Sequence, residues 1–186
     1  MGLKIINNHS KRKIILALSF IFIFILIGCE PSSKSKMEYY DQTISIDLSK
    51  ENINSITLNS VEKDVVRVNG KPASIEAIEK PKSKYYIYGK DGSEDSADFK
   101  IADGKVVSIQ ASNKKYKTVK GLTVGSTKAE IIEAYGKNYY QRTDTGANIL
   151  GYIDKGHKIN LEFSLDHNKV MGLILTYMND PAGANQ

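Results

Sequence analysis

Apolar and polar residues alternate strictly along one segment of the chain, from Lys158 to Leu165. The apolar positions of this segment are Ile159, Leu161, Phe163 and Leu165. A period of two predicts a β-strand with one face in a core and the other face in water. His167-Asn168 follows the strand, and Asp103-Gly104 has a similar place earlier in the chain. Both pairs favour the positive φ angles of a tight hairpin turn.

A helical pattern precedes this strand. Thr127 and Glu130 have the spacing of a capping box, in which each side chain binds a backbone amide of the first helical turn. The apolar residues on one face of the predicted helix are Ile131, Ile132 and Tyr135. Gly136 can adopt the left-handed conformation that ends a helix. The pattern therefore predicts an amphipathic helix that begins at the cap and ends before the glycine.

The same arrangement occurs earlier in the chain. Residues 56–70 match residues 122–136 at an offset of 66, and residues 99–109 match residues 163–173 at an offset of 64. The earlier copy keeps the apolar helix positions Val65 and Val66 and the helix stop Gly70. Val61 stands at the cap position, so the first helix is expected to be less stable at its start.

Self-similarity at one fixed period is typical of repeat architectures. The sequence therefore predicts an α+β fold built as a tandem repeat of a helix plus an antiparallel β-sheet, with the helices packed on one sheet face. The predicted repeats span residues 38–112 and 113–178. Tyr86-Ile87 and Tyr152-Ile153 are expected in the first strand after each helix, and the alternation from Thr43 to Leu48 predicts a strand before the first helix.

The amino terminus has the three parts of a secretory signal: the basic residues Lys11-Arg12-Lys13, an apolar run over residues 14–27, and a small residue before Cys29. Leu26-Ile27-Gly28-Cys29 resembles a lipobox, the motif at which bacterial lipoprotein precursors are lipidated and cut. The resemblance implies a diacylglycerol on the Cys29 thiol, with fatty acids such as palmitate. A membrane-spanning anchor is the alternative, but about 15 apolar residues cover only ~22 Å of a ~30 Å hydrocarbon core.

This interpretation divides the chain further. Residues 1–28 are the predicted signal peptide, residues 29–37 a flexible tether and residues 179–186 a disordered tail. Two acyl chains are enough for lasting attachment to a lipid bilayer. The expected location is the extracytoplasmic face of the cell membrane, in the cell envelope.

The net charge of the chain after residue 28 argues against nucleic acid as a partner. The four basic residues of segment 1–28 leave with it, so 22 of the 26 Lys and Arg residues remain against 21 Asp and Glu residues. The remaining chain is nearly neutral, and nothing in it favours nucleic-acid binding.

A resemblance emerges from the motif Gly-Leu-Thr-Val-Gly-Ser-Thr at residues 121–127, with Glu130-Ile131-Ile132, Tyr135-Gly136 and the strand pattern from Lys169 to Leu175. It resembles the repeat unit of β-lactamase-inhibitor-protein-like folds and is similar to the small lipoprotein of the outer-membrane barrel-assembly machinery. The resemblance implies helices on one sheet face and a protein-binding surface on the other. Cys29 is the only cysteine, so the disulfide of the secreted inhibitors has no counterpart, and no contact residue is transferred.

Catalytic motifs do not stand out. The sequence contains no Gly-x-Ser-x-Gly, no His-Glu-x-x-His and no glycine-rich phosphate loop. His157 and His167 fall at predicted strand ends, and no metal site or cofactor is expected. The chain is expected to be a protein-binding module rather than an enzyme, with an unknown envelope or secreted protein as its partner. The alternative is a cell-envelope hydrolase or ligand-dependent enzyme whose site forms only in three dimensions.

Exposed apolar side chains on the sheet are the predicted contact residues. If Met171, Leu173, Leu175 and Tyr177 form the core face of the last strand, Ile174 and Met178 point outward. Eleven tyrosines occur without any tryptophan, and those assigned to the contact surface are Tyr86, Tyr88 and Tyr152. Exposed aromatic residues, isoleucine and methionine are typical of a partner-binding patch.

Replacing the predicted lipidation site tests the anchor. The Cys29→Ala variant should keep its precursor size or leak from the membrane fraction, because it has no thiol to acylate. Fractionation and labelling with radioactive palmitate measure both effects. Membrane retention at mature size, with label incorporated, would contradict the lipobox.

Overall fold

The computed structural model describes residues 36–80, 82–89, 96–144 and 146–178. The described residues belong to one compact unit. The predicted signal peptide, Cys29 and the predicted tail at residues 179–186 lie outside the described residues. Among the helices that are described, none has the length and apolar character needed to cross a membrane.

Three short helices and eight strands make up the described chain. In order they are α1 (Lys36–Gln42), α2 (Glu62–Asn69), β1 (Ser74–Glu79), β2 (Lys82–Tyr88), β3 (Ala97–Ala102), β4 (Lys105–Ala111), α3 (Lys128–Tyr135), β5 (Tyr140–Asp144), β6 (Ala147–Asp154), β7 (Ile159–Asp166) and β8 (Lys169–Tyr177).

All eight strands belong to one antiparallel sheet, in the order β1-β2-β3-β4-β8-β7-β6-β5. The predicted tandem repeat of helix plus sheet is therefore wrong. β4 pairs directly with β8, from Ser108↔Thr176 to Ala111↔Leu173, so the hydrogen bonds run without a break across the position where two units were expected to meet. The helices are a minor part of the fold, at 7, 8 and 8 residues.

Two further strand predictions need correction. Tyr86-Ile87 and Tyr152-Ile153 lie in β2 and β6, which are the second strands after their helices, because β1 and β5 come first. Residues 43–48 form no strand. The amide of Ile46 donates to the Ile153 carbonyl at 2.8 Å, and this segment otherwise runs along the end of β6 as irregular chain.

One face of the sheet, which we call the helix face, carries the main core together with α2 and α3. Val65 of α2 and Ile131 of α3 are both fully buried in it. The aromatic rings of Tyr135 and Phe163 lie 5.9 Å apart, which joins α3 to β7. Strand residues of the core are Tyr86, Tyr88, Ala97, Phe99, Ile101, Val106, Ile109, Ala111, Leu150, Tyr152, Ile159, Leu161, Phe163, Leu165, Val170, Leu173 and Leu175.

The predicted helix ends are confirmed. Thr127 and Glu130 form the full capping box, and Val61 gives α2 no side-chain cap. The helix stops Gly70 and Gly136 have φ angles of 83° and 87°, where a β-carbon would be strained. The turns also have the predicted form, since Asp103-Gly104 and His167-Asn168 all have positive φ.

A register shift in each of two hairpins changes which side chains face the core. The shifts lie between Lys100 and Ile101 on β3 and between Ser164 and Leu165 on β7. On β8 the shift pairs Val170 with Leu165 and Gly172 with Ser164, leaving Met171 as the extra residue of a β-bulge. Met171 is 43% exposed, so its prediction as a core residue is wrong, whereas Leu173 and Leu175 do point into the core.

Shortening the buried side chain of α3 tests the helix face. Ile131→Ala should lower the free energy of unfolding by about 2–5 kcal/mol, because it leaves a cavity between helix and sheet. Chemical denaturation measures the change. The exposed neighbour Glu133 gives the control Glu133→Ala, which should alter stability by less than about 0.5 kcal/mol. Equal effects of the two variants would show that the buried face of α3 is misassigned.

Candidate functional site

The opposite side of the sheet, which we call the second face, is built differently. One row of side chains crosses it through successive strand pairs: Ile87, Asp98, Gln110, Ile174, Glu162, Gly151 and Tyr140. Ile174, a predicted contact residue, stands in the middle of this row between Gln110 and Glu162. Gln110 is exposed and Ile174 is half-buried. The middle of the second face is therefore accessible and has an isoleucine at its centre.

Small residues occupy several of the positions around Ile174. Ser108, Ser164 and Gly172 lie on the neighbouring positions of this face and are half-buried. Together with Gln110 and Ile174 they form what we call the central patch. Because these side chains are short, Ile174 is the largest apolar group that the patch presents.

An ion-pair network borders the patch towards β5. Arg142 donates from Nη2 to both carboxylate oxygens of Glu162, at 3.2 and 3.1 Å, and from Nη1 to Asp144 at 2.5 Å. The Glu162 side chain is 1% exposed and that of Arg142 is 12% exposed. A charge pair removed from water this completely is held only by such multiple hydrogen bonds. Its geometry is thereby fixed, and Glu162 lies next to Ile174.

Tyr140 completes the network. Its hydroxyl donates to Glu162 and lies 2.9 Å from Oδ1 of Asn160. The ring lies directly over Gly151, where an added β-carbon would come within 2.2 Å of the ring carbon Cζ. Glycine is required at this position because any side chain would occupy the place of the ring. Asn160 is fully buried, and its amide nitrogen has no hydrogen-bond partner among the described residues.

Helix α1 covers this end of the second face. The rings of Tyr39 and Tyr40 lie 6.0 and 5.7 Å from that of Tyr140. Tyr40 is 2% exposed and forms a small separate core with Tyr140 and Ile153. Met178, the other predicted contact residue of the last strand, is partly buried against this core.

Burial and neighbouring charges determine the protonation states of the tyrosines and the arginine of the network. Burial and the nearby Glu162 carboxylate raise the pKa of Tyr140 far above its ordinary value, and the same two causes raise that of Tyr40. Burial lowers the pKa of Arg142, but Glu162 and Asp144 outweigh it and the net direction is upward. The phenols therefore remain hydrogen-bond donors and the guanidinium remains charged throughout the physiological pH range.

The three tyrosines predicted to contact a partner do not lie on this surface. Tyr86, Tyr88 and Tyr152 are 6%, 7% and 0% exposed and belong to the core of the helix face. Their hydroxyls bind Glu62, the Gly70 carbonyl and the Gly136 carbonyl, respectively. Burial raises the pKa of Tyr88 to about 12. These side chains join the strands to the ends of α2 and α3, so their prediction as surface residues is wrong.

The network itself was not predicted. Asn160 and Glu162 alternate with the core residues of β7, which predicts a position in water, yet they are 0% and 1% exposed. The only local signals were the alternation of Tyr140, Arg142 and Asp144 and a glycine in the middle of β6. Neither signal identifies Glu162 as the partner of Arg142, because the two residues are 20 positions apart in the chain.

A second cluster of ionisable groups lies at the turn between β6 and β7. Oδ2 of Asp154 accepts from the Leu48 amide at 2.9 Å and lies 2.8 Å from Nδ1 of His157. Together with Asp47, one ligand atom from each residue lies within 4.8 Å of the others, a spacing that could hold a metal ion. Burial opposes ionisation of Asp154, but hydrogen bonds from His157 and Leu48 outweigh it and lower its pKa. The cluster attaches the irregular segment after α1 to the sheet.

Comparison with known proteins gives distant likenesses. No protein-family model matches the chain, and neither does any curated protein. An extracellular protein containing an SCP domain from Bacillus anthracis is 12% identical, with a TM-score of 0.46, over 79% of this chain and 47% of its own. A cysteine-rich secretory protein from Staphylococcus aureus is 16% identical, with a TM-score of 0.44, over 64% of this chain and 44% of its own.

The chain thus spans less than half the length of these two proteins. A Streptococcus mutans protein provisionally classed as a β-lactamase inhibitor protein is 12% identical, with a TM-score of 0.30, over 78% of this chain and 100% of its own. At such TM-scores the likenesses define neither the fold family nor the function of this chain.

Two glycines on the second face allow a matched test of the network. Gly151→Ala should displace the Tyr140 ring and lower the free energy of unfolding by about 1–3 kcal/mol. An added β-carbon at Gly172 meets its nearest atom only at 3.6 Å, so Gly172→Ala should be tolerated. Thermal unfolding measures both, and tyrosine fluorescence or NMR reports the displaced ring. Equal stability of the two variants would show that Tyr140 does not lie over Gly151.

Proposed function

We propose that this chain is a lipid-anchored protein of the cell envelope that binds another envelope or secreted protein through the second face of its sheet. The observation that carries the proposal is the central patch. Ile174 is accessible there among short side chains, whereas the helix face is occupied by α2, α3 and the main core. An apolar anchor with a polar surround is the usual arrangement of an interface hot spot.

The adjoining ion-pair network supports the same proposal. Arg142 and Glu162 are held by several hydrogen bonds, and the Tyr140 ring is fixed over Gly151. A rigid border lowers the entropic cost of binding, since few side chains need to be ordered when a partner arrives. The anchor part of the proposal rests on the signal pattern that ends at Cys29.

The alternative is an enzyme that uses the pair of His157 and Asp154. The 2.8 Å contact between them favours it, because a carboxylate on Nδ1 orients an imidazole for proton transfer. Two observations oppose it: Asp154 also binds the Leu48 amide, and the His157 side chain is 59% exposed on a turn. We therefore prefer a structural role for the pair, and loss of a hydrolytic activity in His157→Ala would reverse this preference.

A charge at the centre of the patch tests the proposed interface. Ile174→Lys in the full-length, membrane-anchored protein should abolish capture of the partner that the unaltered chain retains. The neighbouring Glu162 is already paired with Arg142, so the lysine would lose its water without gaining a counter-charge. Quantitative mass spectrometry after cross-linking in intact cells measures the loss, and circular dichroism checks the fold.

The matched control is Val66→Lys, at a position that is 38% exposed on α2. It adds the same charge to an apolar surface position on the other side of the sheet and should leave capture unchanged. A folded Ile174→Lys protein that retains its partner would eliminate the central patch as the binding site. Met178 is unsuitable for this test, because it packs against the core under α1.

A further inference from the structure

The two edges of the sheet differ in what covers them. At one edge, β5 packs against α1, and its Arg142 is tied into the buried ion-pair network. At the other edge, β1 pairs only with β2 among the described strands, through six consecutive residue pairs without a bulge. All six of its residues are exposed. A regular, uncovered edge of this kind is a template for one more strand.

Apolar side chains on both sides of β1 favour such pairing. Ile75 is 55% exposed and Ile78 is 39% exposed. The register places Ile75 beside Tyr86 on the helix face and Ile78 beside Ser83 on the second face. A strand added to β1 would therefore bury one isoleucine on each side of the sheet, which an isolated edge leaves in water.

A cavity of about 400 Å³ lies next to this edge. Its lining consists of Glu62, Ala77, Ile78, Glu79, Lys82, Ser83, Lys84, Ile101, Asp103 and Gly104. Within it, Nζ of Lys84 binds the Glu62 carboxylate at 2.7 Å, so these two charges balance. The volume is sufficient for one long side chain of a partner.

The charges around β1 indicate the chemistry of that side chain. Within the described chain, Glu76, Glu79 and Asp103 have no ion-pair partner within 4.0 Å. Lys82 is the opposing base and stands across from Glu79 in the strand register. With Lys84 paired to Glu62, the cavity lining retains Glu79 and Asp103 against Lys82, which is an excess of one acid. Lys80, which follows β1, does not belong to the lining. A cationic side chain is the complement.

From this geometry we infer that β1 is the docking strand for an extended segment of a partner protein with alternating apolar and basic residues. The segment adds as a ninth strand. Its apolar side chains lie on the second face beside Ile78, and its basic side chains lie on the helix face, where one lysine or arginine enters the cavity beside Glu79 and Asp103. Backbone hydrogen bonds supply affinity and the alternate side chains supply specificity. The inference goes beyond the second-face proposal and uses none of the central-patch residues.

A second copy of the chain is the competing occupant. Because β1 has the sequence Ser-Ile-Glu-Ala-Ile-Glu, two β1 strands side by side would bring only acidic charges to the junction. Like charges across a strand pair are destabilising. The acidic strand therefore favours a basic partner over self-pairing.

The test uses the full-length protein in a neutral detergent and a fluorescein-labelled peptide of alternating valine and lysine. Fluorescence anisotropy should show binding, and the amide NMR signals of β1 should shift. A peptide of alternating valine and glutamate should not bind, and neither should a valine–lysine peptide with alternate amides N-methylated on the pairing side. The double variant Glu76→Lys and Glu79→Lys should weaken binding by about tenfold or more.

Glu133→Lys is the control, because Glu133 is an exposed acid on α3; it should leave peptide affinity unchanged. Ile174→Lys should also bind the peptide normally, which separates this inference from the second-face proposal. Equal losses in the Glu133 and β1 variants, equal binding of the acidic peptide, or peptide shifts confined to residues away from β1 and the cavity lining would each overturn the docking strand. Concentration-dependent dimers that the β1 variants abolish would instead establish self-pairing and overturn the peptide partner.

Discussion

The pairing of β4 with β8 is the contact on which the rest of the structure depends. It joins the four strands that follow α2 to the four strands that follow α3, and it runs from Ser108↔Thr176 to Ala111↔Leu173. Ile109 and Leu175 face each other across it, and both are fully buried. Since the sheet is continuous, α2 and α3 share one core instead of covering two. Both faces of the sheet extend across this junction.

The two faces of the sheet are stabilised by different interactions. The helix face is an ordinary apolar core in which tyrosine hydroxyls reach the carbonyls at the ends of α2 and α3. The second face instead buries the Arg142 and Glu162 pair, and such pairs contribute little net stability because both charges lose water. The pair instead holds Tyr140 in place, because the Glu162 carboxylate accepts a hydrogen bond from the Tyr140 hydroxyl. Helix α1 then packs on Tyr140 through Tyr39 and Tyr40.

Two surfaces remain available for recognition, and they differ in character. The central patch presents Ile174 among serine and glycine residues and suits a folded partner. The β1 edge offers backbone hydrogen bonds, two isoleucines and an acidic cavity, and suits an extended basic segment. The two surfaces lie on different parts of the sheet. One partner can therefore bind both surfaces, or two partners can bind one surface each. The tethered position expected from Cys29 would hold both surfaces near the membrane.

The sequence alone determined the features whose partners lie within a few residues. The capping box at Thr127, the stops at Gly70 and Gly136 and the positive φ angles of both hairpin turns depend on local backbone chemistry. The alternation of β7 likewise identified which of its residues face the core.

Only the tertiary structure decided how the strands join and where the polar residues end up. Asn160 and Glu162 are buried by Tyr140 and Arg142, which are 20 or more residues away. Met171 left the core because a bulge set by pairing with β7 shifted the register. The buried charges of the second face were also not predictable from the sequence. Alternation shows that one side of a strand is polar, but it does not show which residues cover that side. Long-range pairing leaves no local pattern, and this is why the sequence could not place these residues.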